Sequence, residues 1–204
     1  MRNKAVFLFF LGFWFLWNVS AWAGPLELLS ELGELARKAF YRYQKEEIAA
    51  HLKDKKAKKL SEICNKLPEK ITFELREYLG EGKLKVEFFS LNYVDVANLP
   101  PYPVQEAILS MQEQHQMEGK YQPRILIIEE REGHDSRYAF VVPLVNQKSC
   151  LLCHGQGAPY GTLFESLYPE KRSLPEKEGD LRGVLVIYVS PKVLKKVGTL
   201  KAGL

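Results

Sequence analysis

The sequence predicts an α+β fold in which a long helical region precedes an antiparallel sheet. Residues 25–80 keep a helical apolar period. Residues 84–189 hold several short, β-branched runs, and one amphipathic helical stretch lies between those runs.

Each element has its own signal. From Pro25, a residue suited to a first helical position, Leu28, Leu32, Leu35 and Ala39 recur at four- and three-residue spacing, and Phe40 and Tyr43 widen the stripe. Helical character continues toward Leu67, and a further helix over Glu69–Leu79 is expected to stop at Gly80. Leu84–Leu91 alternates as a strand, Asn98–Pro103 is a loop, and Val104–Met117 is an amphipathic helix. Arg124–Glu130 and Arg137–Val145 read as strands joined by a hairpin turn over Arg131–Ser136. A short helix around Leu163–Leu167, a last strand over Val184–Val189 and a helix beginning at Pro191 complete the pattern. The expected organisation is one domain over 24–204, with 24–80 helical and 81–204 forming the sheet.

Residues 1–23 read as a signal peptide. Arg2 and Lys4 form a short positive region, Ala5–Val19 is almost wholly apolar, and Ala21-Trp22-Ala23 has the form of a signal peptidase site. The location expected is therefore the periplasm, with an uncleaved N-terminal membrane anchor as the alternative. Removal of this segment takes away two positive charges, so the formal charge falls from +4 to +2. A chain so nearly balanced gives no support for nucleic-acid binding. Its one basic cluster, Lys53–Lys59, reads as a solvated helix face.

The chemistry concentrates in Cys150-Leu-Leu-Cys153-His154. Two thiols separated by two residues and followed at once by histidine are the attachment pattern of c-type haem. The thiols can add across the two vinyl groups, and the imidazole then falls beneath the iron. A zinc site would need further ligands at short spacing, and no second Cys or His pair supplies them. A thioredoxin-type dithiol belongs early in a βαβ unit, not late in a chain of this pattern. The expected cofactor is one covalent haem c per chain.

Cys64, the third cysteine, has no disulfide partner if the other two hold haem. Three roles are open to it on physical grounds: a small buried hydrophobe, an intermolecular disulfide, or a thiolate ligand opposite His154. Met111, Met117, His51 and His115 compete for that distal position. His51 and His115 otherwise read as surface residues of amphipathic helices. Arg182 and Arg137 read as sheet-end charges, with pairing to haem carboxylates as the sharper alternative. Tyr160 and Tyr168 are candidates for the haem edge.

Tyr138–Val145, the Cys150–Gly155 motif, Tyr168-Pro169 and Gly179-Asp-Leu-Arg-Gly183 before a final strand resemble, in that order, a family of exported c-type haem domains with a PAS-like fold. The resemblance covers most of the chain after residue 23. It implies a PAS-like antiparallel sheet and a cysteine on an N-terminal helix, followed shortly by proline, that serves as distal ligand. Cys64 with Pro68 matches that position. Leu91–Pro100 departs from the Arg-Asn-Pro-x-Asn-x-Pro run often found in the family.

The function expected is a redox or diatomic-gas sensor module, for example for nitric oxide, with His154 and Cys64 on the iron. The alternative is a periplasmic electron-transfer cytochrome. No hydrolytic or phosphoryl-transfer signature is present, so no enzymatic role is expected. The expected partners are haem and a separate redox or signalling protein, with the N-terminal helices available for a homodimer.

Overall fold

The computed structural model describes the backbone of residues 4–51, 57–79, 84–128, 137–158 and 176–194. Side chains are described within 26–50, 65–79, 84–127, 138–158 and 176–194. The fold is α+β. Helices α1 (Lys4–His51) and α2 (Ala57–Leu79) lead into β1 (Leu84–Phe89), and α3 (Tyr102–Glu118) separates β1 from β2 (Arg124–Ile128). Strand β3 (Arg137–Val145), a single helical turn α4 (Leu151–His154) and β4 (Leu181–Val189) follow. The four strands are ordered β1-β4-β3-β2, and every pairing is antiparallel.

Strand alternation sends successive side chains to opposite faces, so the sheet has two cores. On one face Val86, Phe140, Val142, Leu144, Leu185 and Ile187 meet α1 and α2, which contribute Leu28, Leu32, Ala36, Leu67, Ile71 and Leu75. On the other, Val141, Val184 and Val186 meet Val104, Ile108 and Met111 of α3. Each fully buried aliphatic side chain contributes roughly 1.5–3 kcal/mol, which makes these faces the main source of stability. Close approach of α1 to the sheet depends on Gly33, where a Cβ would stand 2.4 Å from the Phe140 ring.

Helix α2 also closes the open edge of β1. Thr72 Oγ1 accepts from Val86 N at 2.8 Å and donates to Pro68 O at 2.7 Å, while Arg76 Nε donates to Leu84 O at 2.9 Å. Two of the edge strand's free backbone groups are thereby satisfied within the chain. Arg42 and Tyr43 of α1 share Glu74 of α2, an exposed ionic contact that adds little beyond the apolar stripe.

Three expectations are corrected. Helix α1 does not begin at Pro25, because the apolar run before it is helical too and one proline costs a single backbone hydrogen bond there. The expected break at Leu67–Glu69 is absent, and α2 passes through Pro68. Leu67, Ile71 and Leu75 are each no more than 1 % exposed, and their packing outweighs the proline. Strand β1 stops at Phe89, because the Ser90 amide turns to pair with Asn98 O at 2.9 Å. By contrast, β3 spans the predicted Arg137–Val145. The Arg131–Ser136 turn, the Leu163–Leu167 helix, Arg137's side chain, His51, Tyr160 and Tyr168 lie outside the described residues. So do the side chains of residues 1–23, where the signal peptide is expected.

Between β3 and β4 the register slips: Val145 pairs with Leu181 and Leu144 with Gly183, leaving Arg182 as the extra residue of a β-bulge. Gly183 allows this, since a Cβ there would stand 2.4 Å from Phe89 O and 2.9 Å from the Phe88 ring. Gly183→Ala is therefore expected to destabilise the fold by roughly 1–3 kcal/mol, read as a lower urea midpoint.

The Tyr41 hydroxyl joins α1 to the end of β3, donating to Val145 O at 2.8 Å and accepting from Val145 N at 2.9 Å. Burial pushes its pKa from 10.0 up to about 12, against the opposing pull of the Val145 hydrogen bond. A phenol whose folded pKa is raised stabilises the fold below its unfolded pKa and loses that contribution as pH rises through the folded value. Stability should thus fall between pH 10 and about 12, and Tyr41→Phe should remove that part of the decline in pH-dependent thermal melts.

Candidate functional site: the Cys-Leu-Leu-Cys-His turn

The segment after β3 has little room to wander. Asn146 N donates to Asp180 O at 2.8 Å and Gly179 N donates to Asn146 O at 3.0 Å, so the chain leaving β3 is pinned to the turn entering β4. Gly179, at φ +89°, supplies the left-handed residue of that turn. Asp180 closes it by accepting from Lys177 N at 2.7 Å.

Cys150 then begins one helical turn. The amides of Cys153 and His154 both donate to Cys150 O, at 3.2 and 3.1 Å, which groups the two thiols and the imidazole on α4. Cys150 is 2 % exposed, and its Sγ accepts from Gln44 Nε2 of α1 and from Gln147 N, each at 3.3 Å. Cys153 and His154 are half-buried. The Cys150–His154 turn thus rests on the N-terminal helical region through a buried contact.

On the other side lies a polar cluster. The guanidinium of Arg182 is buried, with Nη1 3.4 Å from Glu176 Oε1 and 3.2 Å from Asn92 O. Its Nη2 lies 3.2 Å from His154 Nε2. Glu176, also buried, receives Asn92 Nδ2 on Oε1 and Asn146 Nδ2 on Oε2, the latter at 2.7 Å. Its backbone amide donates to His154 O at 2.9 Å, and Gly155 and Glu176 form an isolated parallel bridge. Ser90 Oγ donates to Arg182 O at 2.8 Å. Two buried charges are tolerated here because each is paired and hydrogen-bonded.

Arginine has five donors and no acceptor, so a contact from Nη2 makes His154 Nε2 the accepting nitrogen. With Nε2 accepting, its lone pair faces a cation. A neutral imidazole nitrogen is the donor that can ligate a metal. The donor set on α4, two thiols and this nitrogen, fits the chemistry of covalent haem.

Cys64 lies in α2, four residues before Pro68, and its side chain is outside the described residues. The missing proline N–H leaves the Cys64 carbonyl without its usual helical donor. Next to it, Asn65 Nδ2 donates to Asp95 Oδ2 at 3.1 Å, which brings this turn of α2 to the loop that also carries Asn92. Among the competitors, Met111 is walled into the core on the α3 face and Met117 is 78 % exposed. His115 departs from the surface reading. It is half-buried and stacks on Tyr121 with ring centroids 4.0 Å apart.

Arg182 is not an ordinary sheet-end charge. Gly183 beside it was a visible sign of close packing, but the bulge that aims it at His154 has no signature in one sequence. Gln44, Asn92, Asn146 and Glu176 were missed altogether. Glu176 sits in a Glu- and Lys-rich stretch with the composition of a solvated loop. A cleft of about 580 Å³ shares Ser90, Asn92 and Glu176 with the cluster, and Ile108, Tyr121 and Leu181 are among its other lining residues.

Comparison with known proteins gives three findings. The chain is similar to the crystal structure of the cyanobacterial heme-protein Tll0287, with 20% sequence identity and a TM-score of 0.44, over 63% of this chain and 72% of that one. No curated protein matches. The Tll0287-like family model matches residues 32–190, from the first buried turns of α1 through the end of β4. The chain belongs to the Tll0287-like family.

Proposed function

We propose that this chain is an exported, non-enzymatic c-type haem protein that reports redox state or a diatomic gas such as nitric oxide. Cys150 and Cys153 carry the thioethers, His154 is the proximal ligand, and Cys64 is the distal one. Membership of a family that takes its name from a heme-protein supports the cofactor. The grouping of two thiols and an imidazole on one helical turn supports its mode of attachment. The four-stranded antiparallel order with helices on both faces is compatible with a PAS-like sheet. The apolar segment before Ala23 supports export to the periplasm.

The observation that carries the sensing role is the buried contact between Cys150 Sγ and Gln44 of α1. A change at the attachment turn is felt directly by the N-terminal helices, which are the surfaces available to a partner protein or a second copy. Bound haem would supply a one-electron couple and a coordination site for a diatomic ligand. The chain's own residues fix the turn, exclude water from Cys150 and orient the imidazole.

The test is haem-loaded protein in the ferric and ferrous states, with and without nitric oxide. Haem should stay with the chain after denaturation, and Cys150→Ala and Cys153→Ala should each remove one thioether by mass spectrometry. Because thiolate favours ferric iron, Cys64→Ala should change the ferric spectrum and raise the midpoint potential. An unchanged spectrum and potential would refute the distal assignment. Nitric oxide displacing the distal ligand supports sensing, whereas fixed ligation through reduction and indifference to nitric oxide would make the chain an electron carrier.

A further inference from the structure

The 580 Å³ cleft lies between α3 and the end of the sheet where β1 stops and β4 begins, and its size is that of a small-molecule site. Leu91, Ile108, Leu109 and Leu181 give it apolar walls. Against them stand two polar side chains that are themselves buried, Ser90 at 1 % exposure and Glu176 at 7 %. The Ser90 hydroxyl spends its proton on Arg182 O at 2.8 Å. Glu176 accepts from Asn92, Asn146 and Arg182, and a carboxylate has about four acceptor positions, so these three contacts leave one. Asp180 brings a second, exposed carboxylate, of which Oδ2 accepts from Lys177 N. Arg182 balances only one of the two acids, and no described lining residue is basic.

We propose that this cleft binds a small organic cation, a primary ammonium carried on an apolar body. The ammonium donates to the carboxylates of Glu176 and Asp180, and the body packs on the leucine walls and beside Tyr121, whose ring is held by stacking on His115 at 4.0 Å. An aromatic ring also favours a cation near its face. The same lining repels anions, the carboxylates of haem included. Because Arg182 already answers Glu176, the fold does not need the ligand, and the unbalanced charge that selects it is that of Asp180. The site does not rest on the haem reading.

The full chain is titrated by calorimetry with tyramine and with two analogues that keep its phenol, neutral para-ethylphenol and anionic phloretate. Tyramine should bind about tenfold more tightly than para-ethylphenol, as expected of a charge-assisted hydrogen bond, and phloretate should not bind. In chain that carries haem the Soret band should stay where it is, since an amine that moves it has gone to the iron. Leu109→Arg, at a side chain 51 % exposed, sets a cation at the cleft and should abolish tyramine binding. Asp180→Asn keeps an acceptor for Lys177 N and removes the charge, so it should weaken tyramine about tenfold and leave para-ethylphenol unchanged. Urea midpoints show that each variant folds, and Asp180→Asn carries the comparison if Leu109→Arg does not. Equal affinity for tyramine and para-ethylphenol, a shifted Soret band, or tyramine binding that survives the substitutions overturns the proposal, and each of these leaves the haem reading standing.

Discussion

The site depends on one buried ion pair, Glu176 with Arg182. These two residues tie together three stretches of chain that share no secondary structure: the loop after β1, the residues leaving β3 and the turn entering β4. Removing either partner would strand the other charge in a low-dielectric setting, at a cost of about 3–5 kcal/mol. The pair is therefore a commitment: either all three stretches are in place or none is. The Cys150–His154 turn hangs between this pair and Gln44, so its two ends are set by opposite sides of the molecule.

That arrangement explains why the Cys150–His154 turn can be so short. A four-residue helix has no cooperative stability of its own and holds its shape only through what surrounds it. Here the supports are a glutamine on a long helix, two backbone pairings to the β4 turn and an arginine projected from a bulge. The N-terminal helices, the sheet and the loop after β1 all converge on it. The loop also touches α2 beside Cys64, through Asn65 and Asp95, so the surroundings of His154 and the turn of Cys64 share one structural element.

Much of this was readable from residue pattern. The α+β class, the Arg137–Val145 strand and the α3 helix follow from periodicity, and the grouping of Cys150, Cys153 and His154 on one turn follows from their spacing, both of which a single sequence displays. What was not readable is non-local. Gln44 lies 106 residues from the thiol it touches, and Asn92 lies 84 residues from Glu176. Pro68 misled because a helix-breaking residue was weighed against local propensity alone. The packing of Leu67, Ile71 and Leu75, which decides the matter, is tertiary. Glu176 went unseen for the converse reason, since a charged residue in a polar stretch gives no hint that it will be buried with a partner from the next strand.

The bulge in β4 means that the site is encoded partly in the length of a strand. The ladder with β3 is complete without Arg182: Leu181 and Gly183 already answer Val145 and Leu144. Excising that one residue would leave every pairing partner in place and give a more regular sheet. It would also erase the cation facing His154 and leave Glu176 without its counter-charge. In this protein the better-formed sheet and the working site call for chains that differ by a single residue, and the longer chain is the one present.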